Sequence, residues 1–149
     1  MSEETIRVKV SRRQEQGQGV VVLDLSVTEG ADLPSFSAGA HVDVHLADGL
    51  VRQYSLAGDP GERSYYRLGI LKDPNSRGGS IAAHAHLQEG TEVTISVPRN
   101  YFPLEMSASH SILAGGGIGI TPMIAMAHAL HAAGKSFELH YCARSRASA

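Results

Sequence analysis

The chain has 149 residues, 42% of them hydrophobic and 19% charged, and a formal net charge of -2. This balance supports a packed core and excludes a disordered chain, and the absence of a clustered basic patch argues against nucleic-acid binding. One cysteine, Cys142, excludes a disulfide framework, a cysteine-rich zinc site or an iron–sulfur cluster held by this chain alone.

The N-terminus, MSEETIRVKV, has no apolar stretch of the kind a secretory signal requires, so a cytoplasmic location is expected. Ile6, Val8 and Val10 then alternate with Arg7, Lys9 and Ser11, the period-two pattern of a strand with one buried face. QEQGQG (14–19) predicts a turn, 20–27 a second strand, and EGADLPSFSAG (29–39) a long connection. Residues 41–46 and 50–56, separated by Ala47-Asp48-Gly49, predict a hairpin. Strands follow at 65–71 and 91–97, with a short helix over 81–88 between them, Ser80 as its N-cap and Gly90 as its stop. About six short strands with one intervening helix predict an antiparallel β-barrel.

After Pro103 the pattern changes. A short apolar strand (110–114), the turn GGGIGITP, a helix over 122–133, Gly134 and a strand over 137–142 predict a β-α-β unit. The apolar run 112–134 has the length of a membrane span, but its glycines, Pro122, His128 and His131 favour strand, turn and helix, so no membrane partner is expected. A parallel sheet covered on both faces needs more than two strands and one helix. The α/β part is therefore expected to be the incomplete start of a domain, giving a barrel over 1–108 and the first β-α-β over 109–149.

Three segments carry chemistry. In RQYS (52–55), a strand places Arg52 and Tyr54 on one face and Gln53 and Ser55 on the other. A guanidinium grips phosphate with paired hydrogen bonds, Tyr54 offers a flat surface, and Ser55 a hydroxyl that donates and accepts. In SRGGS (76–80), Gly78 and Gly79 let the backbone approach an anion, Ser80 opens a helix, and Arg77 adds charge. GGGIGITP (115–122) lies at the carboxyl end of a predicted parallel strand, where α/β sheets bind ligands. Each segment also has a purely structural explanation: a strand end, a glycine loop, a strand-to-helix turn.

Taken in order, RQYS, SRGGS, PRNYFPL (98–104) and AGGGIGITPM (114–123) resemble the ferredoxin–NADP reductase superfamily, and more closely its phthalate dioxygenase reductase and vanillate O-demethylase reductase group. The resemblance runs from about residue 5 to the end of the chain. It implies a Greek-key barrel that binds flavin, FMN rather than FAD, followed by a domain that binds NADH or NADPH. In this resemblance Arg52 holds the flavin phosphate, Tyr54 packs on the isoalloxazine and Ser55 bonds near its N5, with Gln53 in the same segment. Arg77, Gly78, Gly79 and Ser80 cradle the phosphate. Gly116, Gly117, Gly119 and Thr121 approach the nucleotide, and Ser55 and Thr121 line the transfer path. The family's cysteine–glycine motif beside the nicotinamide is absent, since Cys142 comes too early, and so are the cysteines of a 2Fe-2S domain. The resemblance therefore implies the N-terminal part of a longer reductase, whose electron acceptor is a ferredoxin domain or terminal oxygenase. Arg144 and Arg146 are candidates for reading a 2′-phosphate, though NADH is favoured. The competing expectations are a flavin-binding fragment without NADH oxidation and a non-enzymatic barrel that mediates assembly. The eight histidines include two groupings, His41-Asp43-His45 and His128/His131, neither of which offers a full ligand set, so no metal is expected.

Overall fold

Alternation in the first strand is realised up to Val10, with Val8 and Val10 buried, and is interrupted by a register shift between Val10 and Arg12. A computed structural model describes residues 4–16, 19–27, 31–46, 49–71, 87–116 and 120–142. Its strands are β1 (Thr5–Gln16), β2 (Val20–Ser26), β3 (His41–His45), β4 (Val51–Ser55), β5 (Tyr66–Leu71), β6 (Glu92–Ser96), β7 (His110–Gly116) and β8 (Ser136–Cys142), with helix α1 (Ile120–Ala132) between β7 and β8. The short helix expected over 81–88 lies mostly outside the described residues. Leu87 and Gln88 are not helical, and Gly90, at φ +89°, sits in a tight turn in which Thr91 N–H bonds the Gln88 carbonyl at 3.0 Å.

Six strands form one antiparallel sheet in the order β4-β3-β6-β1-β2-β5. The placement of β6 between β1 and β3 is a Greek-key crossover. The ends of the sheet meet through a bridge between Leu56 and Leu68 and a 2.8 Å bond from Ala57 N–H to the Arg67 carbonyl, which closes the barrel. Alternate side chains fill it: Val8 and Val10, Val21, Leu23 and Leu25, Val42 and Val44, Leu68 and Ile70, Val93 and Ile95 are all buried. At about 1.5–3 kcal/mol for each fully buried aliphatic side chain, this core is the main source of stability.

Two buried polar groups punctuate the sheet. Asp24, 7% exposed, faces its cross-strand partner Arg67, whose guanidinium donates to both carboxylate oxygens at 2.8 and 3.1 Å and lies 5.1 Å over the Tyr65 ring. The hydrogen bond to Asp24 raises the already high pKa of Arg67, so the guanidinium stays charged. Ser96, fully buried, accepts from Asp43 N–H at 2.8 Å, where β3 and β6 begin to diverge.

The connection 31–40 and the segment after β6 are clasped together. Gly39 has φ +99°, and a β-carbon there would lie 1.9 Å from the Phe102 carbonyl oxygen. Asn100 donates through Nδ2 to Ser37 Oγ (2.7 Å) and the Ala38 carbonyl (3.0 Å), while its Oδ1 accepts from Phe102 N–H (2.9 Å). On the far side, Tyr66 donates its hydroxyl to the Pro34 carbonyl, and burial pushes that hydroxyl's pKa up to about 12.

In the second sheet β7 and β8 are parallel, from His110 opposite Ser136 to Gly116 opposite Cys142, and α1 packs on one face. The helix starts two residues earlier than its sequence pattern suggests, and Pro122 still falls in the first turn, where no backbone N–H is required. It ends in a Schellman motif: Gly134 at φ +68°, its N–H on the His131 carbonyl, and Lys135 N–H on the Leu130 carbonyl at 2.9 Å. Among the described residues no helix is long and apolar enough to cross a membrane.

Gly39→Ala is expected to destabilise the fold by on the order of 3 kcal/mol or more, combining a left-handed backbone with a backbone clash. Thermal unfolding followed by circular dichroism would show Tm lower by roughly 10 °C. A second expectation concerns alkaline pH. The unfolded chain ionises Tyr66 near pH 10, whereas the folded chain holds its proton until about 12. The stabilisation is thus complete below pH 10 and lost as pH rises toward 12. Tyr66→Phe should lower Tm at pH 8, by loss of the bond to Pro34, yet make the fall of Tm between pH 10 and 12 shallower.

Candidate functional site

The expected alternation in RQYS is realised in the register of β4 against β3. Arg52 lies opposite Val44 and Tyr54 opposite Val42, so both share the face of buried valines; Gln53 lies opposite Asp43 and Ser55 opposite His41, on the other face. Gln53 is exposed, while Arg52, Tyr54 and Ser55 are half-buried. Tyr54 packs against the barrel core. Burial pushes its hydroxyl pKa up, and the nearby Arg52 guanidinium pulls it partly back. An arginine on the inward face of a strand is costly without an anion to meet it. Arg52 gives one of its five donors to the Val51 carbonyl, at 2.9 Å.

Ser55 ends β4 at a crowded corner. Its cross-strand partner His41 is bridged on the other side to Arg99, with bonds of 2.8 and 3.0 Å between their backbones. The His41 ring lies 5.5 Å from the ring of Tyr101, which is 78% exposed. Arg99 pairs with Asp43 at 2.7 Å, so the carboxylate of the His41-Asp43-His45 strand face is taken up by a cation. Among the described residues no group of three histidine, cysteine, aspartate or glutamate side chains is arranged to hold a metal.

The nucleotide-side candidates flank the turn between β7 and α1. Gly116 is the last residue of β7, and Thr121, the second residue of α1, is buried. The turn therefore joins the carboxyl end of a parallel strand to the positive end of a 13-residue helix. Gly117 and Gly119 lie outside the described residues, as do Arg77, Gly78, Gly79 and Ser80, and Arg144 and Arg146. Cys142 closes β8, but its side chain is likewise outside the description. The structure thus brings Arg52 and Tyr54 together on one sheet and sets Gly116 and Thr121 about one turn on the other.

The residues that connect these two groups were not legible as functional in the sequence. Gly39 stood only as one glycine in a long connection, and Asn100 only as one letter of PRNYFPL. The available signal was local: an asparagine two residues before Phe102 is the pattern of an Asx turn, which the Oδ1 bond to Phe102 N–H realises.

No family model matches the chain. It is 53% identical over 140 residues to a vanillate O-demethylase oxidoreductase of Pseudomonas sp. (strain HR199 / DSM 7063), covering 94% of this chain and 44% of that protein. It is 46% identical over 144 residues to the tert-butanol monooxygenase / tert-amyl alcohol desaturase reductase subunit of Aquincola tertiaricarbonis, covering 97% and 43%. The solved structure of phthalate dioxygenase reductase, described as modular for electron transfer from pyridine nucleotides to 2Fe-2S, superposes with a TM-score of 0.94 at 41% identity, over 97% of this chain and 45% of that one. The chain thus spans less than half the length of these relatives. Across nearly all of its own length it is a homologue of the vanillate O-demethylase oxidoreductase and phthalate dioxygenase reductase group, and it has that group's ferredoxin reductase-like fold.

Proposed function

We propose that this chain carries the flavin site and the beginning of the nucleotide site of a reductase component that takes electrons from NADH or NADPH. The acceptor in this reading is an iron–sulfur centre, in a ferredoxin domain or a terminal oxygenase, and the location is the cytoplasm. Residues 1–108 are the flavin-binding barrel and 109–149 the first β-α-β of the nucleotide-binding domain. The observation that carries the reading is the inward-facing pair Arg52 and Tyr54 at the end of a closed barrel. No folding requirement explains an inward arginine there, whereas a phosphorylated aromatic cofactor suits both side chains.

FMN fits this pair. The guanidinium supplies a fork for a phosphate, and the half-buried Tyr54 ring supplies an apolar plane beside it. Bound FMN would supply the redox chemistry, accepting a hydride with both its electrons from the reduced nicotinamide and releasing them singly. The protein's own share is placement. Ser55 presents a hydroxyl at the end of β4, Gly116 lets a nucleotide approach the backbone, and Thr121 stands at the start of the helix whose N-terminal amides face the same turn.

Arg52→Ala is expected to weaken FMN binding by roughly 10- to 100-fold, the worth of a charge-assisted contact, with the fold intact. Arg52→Lys should fall between, keeping charge and losing the fork. Quenching of FMN fluorescence on titration checks this, and an unchanged Kd in Arg52→Ala would overturn the assignment. A wild-type chain that takes up no flavin at all would leave the barrel as an assembly module.

A further inference from the structure

The connection between β2 and β3 belongs to both cores. Leu33 and Ala40 are buried in the barrel, whereas Ala38, between them, is one of the buried residues of the second core with Leu113, Ala125, Met126 and Leu130. Phe36 packs against both cores, its ring edge-on to Tyr66 at 5.6 Å. This strap is pinned at each end. On the barrel side Leu33 exchanges bonds with Arg63, from Leu33 N–H at 2.8 Å and from Arg63 Nε at 3.1 Å, and Tyr66 holds Pro34. On the other side Asn100 grips Ser37 and Ala38, and the chain that runs on from Asn100 sends Leu104 into the second core before entering β7. The strap ends beside the candidate site: the Ala40 carbonyl accepts Leu56 N–H at 3.0 Å, one residue past Ser55.

Two strands and one helix bury too little apolar surface to hold their own position. The second sheet therefore takes its seat from the residues it borrows, Phe36 and Ala38. We propose that the strap, with Phe36 as its pin and Asn100 as its clasp, positions the end of β7 and the start of α1 (Gly116, Thr121) relative to the flavin-side end of β4 (Arg52, Tyr54, Ser55). Its consequence for hydride transfer rests on the reductase reading above. Transfer requires the reacting atoms to lie about 3–3.5 Å apart, and a displacement of about 1 Å costs on the order of 100-fold in rate. An element that fixes one sheet against the other therefore sets that rate without touching either reactant. Phe36 and Asn100 are positioning residues in this sense.

The test is hydrogen–deuterium exchange on the 149-residue chain with and without FMN. It uses Phe36→Ala, the milder Phe36→Leu, and Asn100→Asp, which keeps the acceptor for Phe102 N–H while losing the donor to Ser37 and Ala38. In Phe36→Ala and Asn100→Asp, amides of β7 and α1 are expected to exchange at least tenfold faster, with β1 and β2 unchanged and the FMN Kd within about twofold of wild type; Phe36→Leu recovers most of the protection. FMN should slow exchange in both β4 and α1 of the wild-type chain, but in β4 alone in Phe36→Ala. Unchanged exchange in β7 and α1 would overturn the proposal, as would a uniform rise in both sheets, which makes Phe36 a general core residue. A wild-type chain that takes up no FMN overturns the reading on which the hydride-transfer consequence rests, and that failure shows in the absorbance rather than in the exchange.

Discussion

The Phe102 carbonyl oxygen occupies the place where a side chain at position 39 would begin. Only glycine allows the 37–40 turn to pass beneath it, and only that passage brings Asn100 within reach of Ser37 and Ala38. Much of the arrangement depends on this contact. It holds the strap against the segment that leads to β7, and the strap in turn carries Ala38 and Phe36 into the second core. A single backbone-to-backbone approach thus ties the barrel to a sheet whose strands come later in the chain.

The candidate site sits where the barrel has least to lose. β4 is the last strand of the ladder, joined to β5 through one bridge and one further backbone bond. Its inward face carries Arg52 and Tyr54, where the buried inward residues of the other strands are valine, leucine, isoleucine and, in β5, Tyr66. Polar residues at such a position weaken the core, and proteins keep locally unfavourable choices of this kind where function requires them. Contrast the buried Asp24 and the half-buried Arg67, mutually satisfied by two charge-assisted bonds. That pair is architecture; Arg52, with one bond to its own neighbour's carbonyl among the described residues, is disposed toward something else.

The second sheet shows the opposite imbalance. Its helix-covered face holds Leu113 and Phe137, while the other presents His110, Ile112, Ala114, Glu138 and His140 to solvent, with Ile112 67% exposed. Beside it a groove of about 460 Å³ runs between Phe102, Leu104, Ile112 and Met123. Parallel sheets ordinarily have both faces covered, and the relatives are more than twice as long as the matched region.

Much of the fold was legible in the sequence, because period-two alternation and turn chemistry are local. Five of the barrel strands, the β-α-β unit and the glycine stop of α1 fall within a residue or two of their expected places, whereas β1 runs on through Gln16 into the turn expected at 14–19; that Arg52 and Tyr54 share a face follows from alternation alone. The helix start moved to Ile120 because proline tolerates the first turn, so Pro122 marked its neighbourhood rather than its first residue. What the sequence by itself determined was therefore most of the elements and which of their residues share a face. The tertiary structure alone decided how Gly39, Asn100 and Phe36 join them. Their partners lie some 30 to 90 residues away in the chain, and no local pattern encodes which distant carbonyl or ring will close on them.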